Sequence, residues 1–277
     1  MLTVHNFSYG LLTPVLAYLM SFLGSFLGLR CTSRSRASTG ATRVRWLLVA
    51  SLALGVTGIW VMHFIAILGF SIPGETIRFS VPITILSMLA AVVFVALGLL
   101  IVGFGGDGYR PLLLAGLLTG LGVAAMHYAG MAAMRMPATM SYNPALFALS
   151  IVIAIVAATA ALWAALRLRG VRSTLGAAAI MGVAISGMHY TGMAAMHIYR
   201  PDGTQMAMGG ASAESFLLPL VIGVSVITFL LTATLALSPT EDEMSADAEL
   251  MRRIDSLRVP PARLMVSPRT SEPGLGE

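Results

Sequence analysis

Charge is scarce in this chain. Of 277 residues only 10% are Asp, Glu, Lys or Arg, against about a quarter in soluble domains. Lysine is missing altogether, so all 17 basic residues are arginine. A single cysteine, Cys31, excludes an internal disulfide and a thiolate cluster. No acidic residue falls inside any long apolar run. These absences exclude soluble catalysis, zinc fingers and DNA reading, and no nucleic-acid partner is expected. The net charge of +5 is read through membrane topology first.

What is present is apolar surface. Hydrophobic residues make up 57% of the chain, and the mean hydropathy is +0.86. Seven apolar runs are each long enough to cross a hydrocarbon core of roughly 30 Å. They cover Tyr9–Leu29, Trp46–Phe70, Ile83–Phe104, Leu112–Met134, Ala145–Leu166, Thr174–Met196 and Ser215–Leu237. The expectation is an all-α polytopic membrane protein of seven helices, built from repeated helix pairs. With no positive residue ahead of it, the first run is read as a span and not as a cleaved signal.

Arginine sets the orientation. Nine arginines lie at one end: Arg30, Arg34, Arg36, Arg43 and Arg45 between the first two runs, Arg110 after the third, and Arg167, Arg169 and Arg172 after the fifth. The alternate connections hold three, Arg78, Arg135 and Arg200. The N-terminus is expected outside and the C-terminus in the cytoplasm. Residues 1–238 form the membrane domain on this reading. Residues 239–277 form a short cytoplasmic tail, with a capping box at Thr240–Glu243, a helix whose Leu250, Ile254 and Leu257 share one face, and disorder after Pro260 and Pro261.

The chain repeats itself. Gly120–Met134 aligns without a gap on Gly182–Met196, and Gly58–Phe70 is a weaker copy. His63, His127 and His189 recur at intervals of 64 and 62 residues, and the preceding inner arginines (Arg45, Arg110 and Arg172) lie 18, 17 and 17 residues before them. At 1.5 Å per residue this puts all three histidines about 26 Å from the arginine-rich end. An ionisable group inside a span marks a functional site, because hydrocarbon penalises its charged form.

Methionines surround these histidines. Met62, Met126 and Met188 precede them, Met131 and Met193 follow at i+4, and Met134 and Met196 at i+7. A continuous helix would put the last four within about 40° of the histidine's face. Imidazole with thioether suits copper, Cu(I) above all. The expected metal ligands are His63, His127, His189, Met131 and Met193, with Met62, Met126, Met188, Met134 and Met196 as further candidates. The bland alternative is three hydrogen-bonding core histidines among methionines that only pack. Glycines at i+3, Gly130 and Gly192, allow close helix approach. Gly24-x-x-x-Gly28 offers a packing face, within the bundle or between two copies. His5 and His197 lie outside the runs as ordinary surface histidines or accessory ligands.

Met126-His-Tyr-Ala129 and Met188-His-Tyr-Thr191 resemble the motif of the MHYT domain, a bacterial integral-membrane sensor module. Ile59-Trp-Val-Met-His-Phe-Ile65 is similar to its first copy, with phenylalanine for tyrosine. The resemblance covers roughly residues 1–238. It implies a multi-pass inner-membrane sensor with periplasm-facing copper that responds to oxygen, carbon monoxide or nitric oxide; on the residues, copper occupancy itself is the other signal expected. Carried over, that falls on His63, His127 and His189 with nearby methionines. The first copy departs most, with Ile67 and Phe70 where the others have methionine. Many relatives fuse the module to a cyclic-dinucleotide enzyme, a kinase or a DNA-binding domain. Here only a short tail follows, so a separate cytoplasmic signalling partner is expected, and no catalysis. The alternatives are a copper or proton transporter or channel, and a copper- or haem-dependent membrane enzyme. Gly103–Gly108 satisfies G-x-G-x-x-G but lacks the strand–turn–helix setting that binds a dinucleotide.

Overall fold

The computed structural model describes residues 3–106, 108–199, 209–237 and 241–258. The chain forms two compact units, Met1–Leu237 and Ser238–Glu277. In the first, six helices among the described residues are long and apolar enough to cross a membrane: α1 (Leu12–Arg36), α2 (Gly40–Leu68), α3 (Val81–Phe104), α4 (Tyr109–Ala132), α5 (Pro144–Arg167) and α6 (Val171–Ala194). The seventh apolar run forms α7 (Ala213–Leu237), with Pro219 in its interior.

The six helices close a ring in chain order, each packed on the next and α1 on α6, while α7 lies against α2. That arrangement makes α2 the hub: 83% of its most apolar stretch is buried, against 22% for α5. The outward residues of the other helices, such as Val156, Ile180 and Val183, are exposed apolar side chains suited to lipid.

Local chemistry sets the helix ends. Asn143 caps α5, its Oδ1 accepting from the backbone N–H of Ala145 at 3.0 Å and Leu146 at 3.2 Å, with Pro144 next in the first turn. At the arginine-rich end the connections are short, and arginines satisfy helix C-terminal carbonyls. Arg36 donates to the carbonyls of Ala165 and Leu168 at the end of α5. Arg43 donates to Gly103 at the end of α3, its guanidinium 5.0 Å from the Phe104 ring centroid. Arg30, Arg34 and Arg36 thus belong to the last turns of α1, not to a loop, so the first helix runs past Leu29.

The opposite end carries small antiparallel sheets that an all-helical expectation omits. β1 (Arg78–Phe79), β2 (Met134–Arg135) and β5 (Ala211–Ser212) pair in the order β2-β1-β5, and β3 (Thr139–Tyr142) pairs with β4 (Met196–Tyr199). Consequently α4 and α6 stop at Ala132 and Ala194. Met134 and Met196 sit in strands, not on the helical face expected of i+7 positions. Beyond the helix ends the chain satisfies its backbone groups by strand pairing instead of by further helical turns.

One helix is irregular. Residues Ala53–Val61 of α2 are π-helical, immediately before Met62 and His63. This is also the repeat with one residue more between arginine and histidine, and i→i+5 pairing takes up an extra residue. The stretch is wholly buried. A β-carbon on Gly24 would overlap the Gly58 backbone, and one on Gly28 would overlap Leu54. The Gly24-x-x-x-Gly28 face is therefore used inside the bundle.

In the second unit α8 spans Glu241–Arg258. Glu249 pairs with Arg253 at 3.3 Å and with Arg252 at 3.9 Å. Leu250 and Met251 are exposed. Thr240 and the segment after Arg258 lie outside the described residues, as does the side chain of Leu257.

Candidate metal centre

Each histidine stands five residues before the end of its helix: His63 in α2 ending at Leu68, His127 in α4 ending at Ala132, and His189 in α6 ending at Ala194. Alternate members of the ring therefore deliver one imidazole each at the same level. The three converge. Nδ1 of His63 lies 3.0 Å from Nδ1 of His189 and 3.1 Å from Nδ1 of His127. The ring centroids are 4.9, 4.9 and 5.1 Å apart, with planes between 78° and 90° to one another. All three residues are 1% exposed or less.

Neighbouring helices seat the outer edges of two rings. A β-carbon on Gly130 of α4 would overlap Nε2 of His63, and one on Gly192 of α6 would overlap Nε2 of His127. In the first copy the corresponding i+3 position is Ala66, which is buried. The three Nε2 atoms are buried and have no hydrogen-bond partner.

Proton counting makes this arrangement informative. A neutral imidazole carries one N–H and one lone pair. The Nδ1 of His63 faces two other Nδ1 atoms, yet it holds either one proton or one lone pair and can complete only one of the two hydrogen bonds. Buried polar atoms left unpaired are costly. Three lone pairs converging on one cation remove the conflict. Two imidazole nitrogens on a tetrahedral metal at roughly 2.0–2.1 Å stand about 3.3 Å apart, a few tenths of an ångström from the separations found. Among the described residues these three side chains form a group that could hold a metal ion, each offering one nitrogen, with those atoms all within 4.8 Å of one another. The donors therefore fit a metal that accepts imidazole, and copper is among these.

The methionines are buried around the cluster. Met62, Met126, Met131, Met188 and Met193 are each 4% exposed or less. In the first copy, the methionine-replacing Ile67 and Phe70 are buried too. His5 and His197 lie elsewhere: His5 pairs through its backbone with Ser71, and His197 sits in β4 opposite Ser141. Cys31 is buried in α1.

The motif's third position does three different things. Tyr128 shares a 2.6 Å hydrogen bond with Ser150 of α5, and Ser150 donates to the Phe147 carbonyl at 2.8 Å. The buried hydroxyl of Tyr190 has no partner, and its ring lies against Phe7. Phe64 packs among Trp60, Phe79 and Phe216. Nearby in β3, burial and the neighbouring Tyr128 push the Tyr142 phenol above its usual range. The Tyr128–Ser150 pair carried no sequence signal, since a serine inside an apolar run has many uses.

Residues 57–116, 120–178 and 182–244 match the family MHYT, described as a bacterial signalling protein N-terminal repeat. The chain belongs to the MHYT family. Cyclic di-GMP phosphodiesterase NbdA of Pseudomonas aeruginosa is 41% identical over 227 residues, covering 80% of this chain and 28% of that protein. The bifunctional diguanylate cyclase/cyclic di-GMP phosphodiesterase MucR of the same organism is 37% identical over 254 residues, 89% of this chain and 36% of that protein. The signalling protein YkoW of Bacillus subtilis is 30% identical over 212 residues, 69% of this chain and 25% of that protein. The chain thus spans between a quarter and about a third of the length of these relatives. No solved structure matches it. The MHYT repeats start next to or ahead of each histidine helix end, so each repeat contributes one histidine.

Proposed function

We propose that this MHYT protein is a multi-pass sensor of the bacterial inner membrane, with copper held by His63, His127 and His189 near the outward face. The seven helices span the membrane in this reading, with the C-terminal tail in the cytoplasm. One observation carries it: the buried Nδ1 of His63 lies 3.0 Å from that of His189 and 3.1 Å from that of His127, and it can complete only one of the two hydrogen bonds. Bound copper supplies a redox-active centre with affinity for oxygen, carbon monoxide or nitric oxide.

The protein's residues do the rest. The three imidazoles hold the ion and fix its position relative to α2, α4 and α6. Gly130 and Gly192 let the rings be seated by neighbouring helices. Buried thioethers, Met131 and Met193 first, offer soft donors beside them. Any change in the ion's charge or ligands biases the packing of three alternate helices against one another, provided two packings differ in affinity for the ligand. Their arginine-rich ends and the tail helix α8 pass the change to a cytoplasmic partner. The names of the Pseudomonas relatives tie such modules to cyclic di-GMP turnover, and the partner proposed here is of that signalling class. No catalysis is assigned to the membrane domain. Gas binding and copper binding as the signal are separated by titrating the copper-loaded protein with carbon monoxide and nitric oxide and following its spectrum.

A transporter or channel is favoured less. Toward the arginine-rich end the cavity next to the histidines is apolar, its wall including Ile59, Val123, Ile185 and Met188, which does not favour a polar relay through it. Copper flux into proteoliposomes that depends on His127 would favour transport instead.

A further inference from the structure

An apolar cavity of about 60 Å³ lies inside the bundle. Its wall includes Ile59, Val123 and Ile185, which stand four residues before His63, His127 and His189 respectively. One helical turn, about 6 Å along the axis, separates these positions from the imidazoles. Met188, adjacent to His189 in the chain, lines it too. The cavity and the histidine cluster thus share an axis, and the same three helices wall both.

We propose that this cavity is a holding chamber for a small uncharged apolar molecule of the diatomic class, which reaches the histidine cluster from the hydrocarbon phase. The proposal rests on reading the histidines as a ligand-responsive centre, and names where the ligand waits and how it arrives.

The chamber's chemistry selects the ligand class. Its one polar lining residue, Thr119, uses its hydroxyl on the Phe94 carbonyl at 3.3 Å. Apolar cavities of this sort stay dry and take up xenon or small hydrocarbons. Room for a water-sized molecule takes roughly 10–15 Å³ by the same measure, so the chamber admits a few diatomics and excludes any hydrated ion.

Its position selects the route. At the end of the bundle beyond the histidines, Phe70, Ile72, Phe79, Met134, Met136 and Ile198 are buried apolar side chains. At the flank, Ala157 and Ala161 of α5 and Ala184 and Ile185 of α6 line the chamber and are only partly buried. Three of these four flanking side chains are alanines, so little side-chain bulk stands there. Ala157 is the fourteenth residue of the 24-residue α5, so this flank lies at mid-helix, at the depth of the hydrocarbon in a spanning orientation. Uncharged diatomics concentrate in hydrocarbon relative to water.

Xenon-129 NMR on purified protein in nanodiscs tests the chamber without metal. A saturable xenon signal in the wild type, abolished in Ala158→Leu, is expected. Ala161→Leu serves as a second filling variant, and copper content should be unchanged in both. Absence of a saturable site in the wild type overturns the chamber. In copper-loaded protein, carbon monoxide association should slow at least tenfold in the filling variants. An unchanged association rate in a variant that has lost xenon overturns the route. A wild type that takes up xenon but no copper supports the chamber and defeats the metal reading, so the two failures are distinguishable.

Discussion

A β-carbon on Gly130 would stand on the Nε2 atom of His63. The glycine three residues after one histidine is thereby the seat of the histidine from the previous repeat, and Gly192 repeats the relationship with His127. The motif's glycine thus positions an imidazole belonging to another copy, and the repeats are interdependent at the level of single atoms.

Alanine at either seat should displace an imidazole while leaving the ligands in place. Gly130→Ala and Gly192→Ala are expected to weaken copper affinity by about 10–100-fold, the usual cost of disturbing the groups that orient metal ligands. Gly187→Ala, on the same helix as Gly192 but with nothing within 4 Å of the added carbon, should bind copper normally. Its fold should be stabilised by up to about 1 kcal/mol from helix propensity. Competitive titration with a Cu(I) chelator across the three variants makes the comparison, and equal affinities would contradict it.

The two motif tyrosines should behave differently. Tyr128→Phe leaves the Ser150 hydroxyl without its 2.6 Å partner and should cost about 0.5–1.5 kcal/mol. Tyr190→Phe removes a buried hydroxyl that has no partner and should be neutral or stabilising. Thermal unfolding in detergent at fixed lipid content reads both, and a larger loss for Tyr190→Phe would contradict the assignment.

Arg36 ties α1 to the end of α5 through the carbonyls of Ala165 and Leu168. Arg36→Ala should destabilise the bundle by about 1.5–3 kcal/mol, the range for hydrogen bonds from a charged donor. Arg45→Ala, at an exposed position, should change stability by less than about 0.5 kcal/mol. Arg36→Lys should restore only part of the loss, because one ammonium does not reproduce a fork that meets two carbonyls. Denaturation midpoints order the three variants.

Much of this molecule is legible in its sequence. Apolar runs mark five of the helices to within about three residues, because hydrocarbon leaves the backbone little choice but helix, while α1 runs on to Arg36 and α2 begins at Gly40, their arginine-bearing turns lying outside the apolar runs. Three histidines at one depth are legible because the repeat carries an arginine marker with each. Other features arise from pairings that hydropathy does not encode. Met134 and Met196 continue the apolar pattern of their helices, yet their backbones pair across strands outside the bundle. The π-helical turns of Ala53–Val61 show in sequence only as one residue more between Arg45 and His63. Gly130 and Gly192 read as generic helix-packing glycines, since nothing along one helix says which side chain of another will rest there. The axial cavity is an absence of volume, visible only once α2, α3, α4, α5 and α6 are assembled.

The most direct test of the metal reading is elemental analysis of the detergent-purified protein after Cu(I) loading, beside His63→Ala, His127→Ala and His189→Ala, with visible spectra of the same samples. Copper at or near one atom per chain is expected in the wild type, and its loss in each variant, with all four proteins folded. A protein that takes up no Cu(I), or that keeps its copper in all three variants, would contradict it.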